Sequence, residues 1–184
     1  MKRVAQFFKV SFDNFAQAVK ADFPEFSDAD IQEIYGKLEL PRRATRGSAG
    51  YDLFAPFSFS LAPGETIKIP TGIRVKIDEN WVFTLYPRSG LGFKYRLQMN
   101  NTVGIIDSDY FDSDNEGHIF IKMTNATNEG KTIEVPRGTG FAQGIFLEYG
   151  ITVDDDTEGI RNGGLGSTTR FLSEAAGTVN SQKE

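Results

Sequence analysis

Cysteine is absent and histidine occurs once, as His118. Without thiols no disulfide can staple the fold, and the usual Cys/His zinc sets cannot be assembled. That excludes a zinc-dependent nucleobase deaminase, which draws on such a set. No apolar run is long enough to span a bilayer, and the N-terminus lacks the apolar stretch of a signal peptide. The expectation is a cytoplasmic protein without a membrane partner. Positive charge is in deficit: 20 Lys and Arg stand against 25 Asp and Glu, a net charge of −5. An acidic surface repels a polyphosphate backbone, so nucleic acid is not the expected partner. A few Arg side chains and backbone N–H groups can still hold a small anion.

Aromatic residues and chain-breakers are plentiful. Sixteen Phe and six Tyr supply bulky packing groups, and 19 Gly and seven Pro interrupt the chain often. This texture favours many short strands over long helices, and 184 residues suit one domain, or one domain with an appendage.

The first forty residues differ from the rest. Gln6 to Phe12 reads as a strand. Phe15, Val19 and Phe23 then fall at helical spacing, with Asn14 as the expected N-cap and Pro24 as a break. Ser27 can cap a second helix in which Ile31, Ile34, Tyr35 and Leu38 share a face, with Pro41 ending it. A helical insertion at about 14–40 is expected to pack its apolar stripe on the main domain. The other reading is an arm for a regulatory protein partner.

From Gly50 the period becomes two. Residues 57–61, 66–69, 73–77, 81–86, 118–123 and 131–135 all alternate as strands, with turns at Ala62-Pro63-Gly64-Glu65 and Pro136-Arg137-Gly138. Short strands at this spacing indicate a sandwich, jelly roll or barrel. After Gly150 the pattern stops. An acidic linker, a Gly-rich run and a polar tail at 172–184 follow, with too little apolar surface to order themselves.

Five short motifs stand in order: Ala49-Gly50-Tyr51-Asp52-Leu53, Pro87-Arg88-Ser89-Gly90-Leu91-Gly92, Asn101-Thr102-Val103-Gly104-Ile105-Ile106-Asp107-Ser108-Asp109-Tyr110, Gly140-Phe141-Ala142-Gln143 and Arg161-Asn162-Gly163-Gly164-Leu165-Gly166-Ser167-Thr168. In the second, a forked cation, a hydroxyl and glycines that admit close approach suit a phosphate. A Ser-capped Gly turn reads equally well. In the third, Asp107 follows an apolar run. It is expected at the end of a buried strand, where a carboxylate can hold a water; a plain turn acid is the alternative. Asp52 reads as a bulge or turn acid. The fifth is a Gly-rich arm at about 159–171 and not a Walker loop, since no Gly-Lys-Ser/Thr follows.

Together the five resemble the trimeric dUTPase family over about residues 40–170. The Asn115-Glu116-Gly117-His118 run is similar to the Gram-positive bacterial and phage type. The resemblance implies an all-β, jelly-roll-like barrel: a single domain over 1–171 that carries the helical insertion and a flexible C-terminal arm. It implies hydrolysis of dUTP to dUMP and pyrophosphate with Mg2+, Asp107 activating the water that attacks the α-phosphorus. Arg88, Ser89 and Gly90 would meet the triphosphate. Asn101, with Gly104, Ile105 and Ile106, would read uracil, and Tyr110 would lie beneath the deoxyribose. Gln143, Arg161, Gly166, Ser167 and Thr168 would serve the phosphates, and Asp52 the metal through water. It further implies a homotrimer whose subunits share sites. Leu165 stands where the family usually has a stacking Phe, and Gly140 where it commonly has Arg. A dCTP deaminase of the same fold and a dUTPase-like protein-binding module are the alternatives.

Phe111 to Gly117 lengthen the loop after Tyr110. Asp112, Asp114 and Glu116 open like a calcium loop, but the twelfth position is Met123, so the bidentate acid is missing. The expectation is a solvated loop, with no catalytic role for His118.

Overall fold

Backbone N–H and C=O groups of alternating segments need partner strands, and the period-two segments find theirs mostly far along the chain, β5 with β10 and β7 with β12. The computed structural model describes residues 2–159 and residue 161. In chain order these form β1 (Ala5–Lys9), α1 (Phe12–Asp22), α2 (Asp28–Gly36), β2 (Arg42–Arg43), β3 (Tyr51–Phe54), β4 (Phe59–Leu61), β5 (Thr66–Pro70), β6 (Ile73–Ile77), β7 (Trp81–Pro87), α3 (Ser89–Tyr95), β8 (Leu97–Met99), β9 (Gly104–Ile106), β10 (Phe120–Asn125), β11 (Ile133–Val135) and β12 (Gly140–Glu148). A 3₁₀ turn spans Asp109–Asp112. The strands build antiparallel sheets in the orders β2-β3-β12-β7-β9, β5-β10-β8, β1-β6 and β4-β11. The fold is thus mostly β, and these small sheets wrap one core rather than closing a ring of strands.

That core takes one face of nearly every strand: Leu53, Ile69, Phe83, Leu85, Ile121, Met123, Ile133 and Phe141 are all buried. Phe83 stacks on Phe146 with centroids 4.6 Å apart. Burial of each such side chain contributes about 2–3 kcal/mol.

The helices form a second, smaller core of Val10, Phe15, Val19, Ile31, Ile34, Leu38 and Phe57. The apolar stripe therefore faces the protein, as its spacing implies. The cap of α1 is Ser11, not Asn14: Asn14 N–H donates to Ser11 Oγ at 3.2 Å. Asn14 is freed for another task described below. Ser27 does cap α2, in a reciprocal box with Asp30. This helix ends at Gly36, well before Pro41.

Four strands were hidden in the sequence. β2, β3 and β8 are only two, four and three residues long. β12, the longest at nine residues, opens on Gly140 and carries Gly144, so its alternation is broken. It is nonetheless paired on both sides, with β3 and β7.

Candidate active site

The second motif folds as a helix rather than a Gly turn. Arg88 is the N-cap residue of α3, with Ser89, Gly90 and Leu91 in the first turn. This places Arg88, Ser89 and Gly90 along a cleft of about 560 Å³ beside Asp52 and Gln143. Asp52 on β3 and Gln143 on β12 are register partners. The Asp52 carboxylate lies 3.3 Å from Arg88 Nε, and Gln143 Nε2 donates to the Pro87 carbonyl at 3.2 Å. Arg88 Nη1 points toward the Gly140 carbonyl at 3.4 Å. A Cβ on Gly140 would stand 2.9 Å from that same nitrogen, so glycine is what lets Arg88 lie across β12. Ser89 and Gly90 are exposed, with open space above Gly90. Lys94 and Tyr95, one turn further along α3, also line the cleft. Nothing in the Gly-rich sequence announces a helix there, so sequence reasoning missed them.

The third motif sits elsewhere. Among the described residues β9 pairs with β7 alone, so its other edge, with its backbone N–H and C=O groups, has no partner strand among them. Gly104 is buried while Ile105 is 56% exposed. The strand before Asp107 is therefore an exposed edge, not the buried strand expected, and Asp107 is itself exposed. The turn holding Asn101 is not a paired hairpin, because β8 joins β10 and β9 joins β7. Asn101 is exposed at its tip, with its carbonyl accepting from Val103 N–H at 2.6 Å.

Asp107, Asp109 and Tyr110 gather around one cation. Arg161 Nη2 donates to the Asp107 carboxylate, and Arg161 Nε to Asp109 at 2.9 Å. The guanidinium lies 5.9 Å from the Tyr110 ring centre. Burial pushes the Tyr110 hydroxyl above its ordinary range, so it remains a proton donor at neutral pH. Asp109 was not singled out from sequence, since a turn acid carries no distinguishing pattern. Leu165, Gly166, Ser167 and Thr168 lie outside the described residues, as do most of the arm at about 159–171 and all of the tail at 172–184.

The loop after Tyr110 is not the solvated loop expected. Ser113 and Gly117 are buried. Glu116 accepts from Ser11 N–H at 2.7 Å and Ser11 Oγ at 2.5 Å. Those bonds hold its carboxyl below the ordinary carboxylate range. Among the described residues no three His, Cys, Asp or Glu converge as a metal cluster, and none of the helices is long and apolar enough to cross a membrane.

The motif residues thus form two groups, one on the α3 cleft and one at the β9 edge, with β7 between β12 and β9. Residues 36–169 match the family model described as dUTPase. The chain belongs to the dUTPase family. The deoxyuridine 5'-triphosphate nucleotidohydrolase of Lactococcus lactis is 40% identical over 134 residues, covering 71% of this chain and 88% of that protein. The crystal structure of the Streptococcus mutans dUTPase superposes with a TM-score of 0.58 at 29% identity, over 81% of this chain and 98% of that one. A variant dUTPase of Staphylococcus aureus phage phi11, described for its structural Mg(II) ion, matches with a TM-score of 0.58 at 21% identity, over 85% and 98%; that likeness speaks for the fold alone. The dUTPase family match begins at residue 36, so β1, α1 and nearly all of α2 precede it.

Proposed function

We propose that the protein hydrolyses dUTP to dUMP and pyrophosphate, and that its sites form between subunits of a homotrimer. The observation that carries this reading is the Asp107 carboxylate at the outer edge of its sheet, after β9, within reach of Arg161 and beside Tyr110. A base edge can bond to the β9 backbone, with Asn101 at the adjoining turn and the sugar over Tyr110. The α3 cleft, lined by Arg88, Ser89, Gly90 and Gln143, then takes the triphosphate from a neighbouring subunit. Two incomplete half-sites on one chain are what a shared site requires.

In this reading Asp107 accepts a proton from a water aligned with the α-phosphorus, and Ser89 Oγ donates toward the departing bridging oxygen. The water oxygen bonds to the α-phosphorus as the bond from that phosphorus to the bridging oxygen breaks, and pyrophosphate leaves. Arg161 is held by two carboxylates in the chain; incoming phosphates compete for it and free Asp107 to bind water. Ser167 and Thr168 would join Arg161 on the outer phosphates, with Gly166 admitting them closely and Leu165 covering the base.

Mg2+ neutralises phosphate oxygens when bound with the nucleotide. Asp52 and Gln143 are the side chains placed to hold its water shell. The test is an assay against dUTP, dCTP, UTP and dTTP, measuring pyrophosphate and ammonia separately. Pyrophosphate from dUTP alone is expected; ammonia from dCTP would replace this reading with a deaminase.

A further inference from the structure

Tyr110 is tied into a network that reaches the N-terminal helices. Its hydroxyl donates to the His118 carbonyl at 2.7 Å and accepts from Asn115 Nδ2 at 2.8 Å. The orientation of the Asn115 amide is decided by its other end, because Oδ1 accepts from Gly117 N–H at 3.2 Å. The Asn115 carbonyl in turn accepts from Asn14 Nδ2 on α1 at 3.1 Å. Asn14 Oδ1 meets His118 Nδ1 at 2.8 Å, and His118 Nε2 accepts from Gly72 N–H at 2.8 Å. His118 Nδ1 therefore carries the proton and donates to Asn14. Each donor finds an acceptor, in surroundings where His118 and Gly117 are buried.

We propose that Asn115 is a positioning residue for Tyr110, and that α1, through Asn14, holds Asn115 in place. The helical insertion then acts on sugar selection without touching the nucleotide. This rests on the reading of Tyr110 as the floor beneath the deoxyribose. A ring fixed at its hydroxyl leaves no room for a 2′-hydroxyl above it; a ring free to tilt yields that room. Selectivity that depends on shape is lost when the wall relaxes. Glu116 on the Ser11 cap fastens the same loop to the same helix, so residues 115, 116 and 118 all join it to α1. The Asn14 side chain serves this joint because Ser11 has taken the capping role.

The experiment compares kcat/KM for dUTP and UTP in wild type, Asn115→Ala, Asn14→Ala and Tyr110→Phe. Asn115→Ala should lower the dUTP-to-UTP ratio about tenfold, and Asn14→Ala about threefold, as expected for a half-buried hydrogen bond and for its support. In the Tyr110→Phe background, Asn115→Ala should change the ratio no further, because the hydroxyl it holds is gone. A merely structural role would lower both substrates together and leave the ratio unmoved. If Asn115→Ala does not fold, Asn14→Ala carries the same comparison. Hydrogen exchange at residues 109–112, measured without nucleotide, should quicken in both Asn variants. A ratio unchanged in both Asn variants but lowered by Tyr110→Phe overturns the proposal while leaving the function intact. A wild type with no preference for dUTP overturns the reading of Tyr110, and the proposal with it, even where exchange shows the tether intact.

Discussion

Lowering pH should destabilise the protein through one residue before the carboxylates respond. His118 is fully buried, and burial lowers its pKa from 6.5 to about 4; nearby Glu116 opposes this only weakly. The protonated ring would turn Nε2–H against Gly72 N–H, donor against donor. The folded-state pKa is therefore below the unfolded one. Stability is fully present above pH 6.5 and is lost as pH falls toward 4, because only the unfolded chain takes up the proton in that window. The loss is about 2 kcal/mol by pH 5 and about 3 kcal/mol below pH 4. His118→Gln retains an acceptor for Gly72 but does not titrate. Urea unfolding at pH 7 and pH 5, at one fixed protein concentration so that any linkage of assembly to folding is held constant, should show wild type losing about 2 kcal/mol more than the variant. Asp30, Glu33 and Glu129 have lowered values, so their losses come at lower pH and cancel in the comparison; Glu116, also lowered, interacts with His118 and loses that interaction in the variant. Parallel losses in the two proteins between pH 7 and 5 would refute the assignment.

Four further outcomes are expected. Asp107→Asn should lower turnover by about 10²–10⁴ with dUTP binding retained; near-wild-type turnover would remove Asp107 as the base. Co-assembling Asp107→Asn chains with Arg88→Ala chains at equal ratio should restore about a quarter of wild-type activity if each site draws these residues from different subunits, whereas sites within one chain restore none. Gly72→Ala should cost about 2–4 kcal/mol in denaturant unfolding, since φ is +72° and the new Cβ would sit 2.4 Å from Leu38 Cδ1. Gly140→Ala should raise KM for dUTP by displacing Arg88, whose Nη1 lies 2.9 Å from the added carbon; an unchanged KM would argue that Arg88 does not meet the phosphates.

Some of this was legible in the chain itself. Period-two alternation at 66–69, 73–77 and 81–86 required strands, because only a pleat sorts those side chains onto two faces. Spacing placed Phe15, Val19, Ile31 and Ile34 in a core, and all four are buried. The order of five motifs pointed to the dUTPase family without any coordinates. Other features depend on partners distant in sequence. β12 is a central strand because β3 and β7 flank it, although its glycines hide the alternation. Ser11 rather than Asn14 caps α1 because Glu116, more than a hundred residues away, reinforces that serine. The edge character of β9 is decided by which strands pair, not by the apolar run that precedes Asp107. In one dimension Asn115 reads as part of a polar loop and His118 as the start of a strand. Folded against α1, they become the link to Tyr110, His118 buried and Asn115 half-buried, because hydrogen-bond satisfaction is settled only when distant donors and acceptors meet.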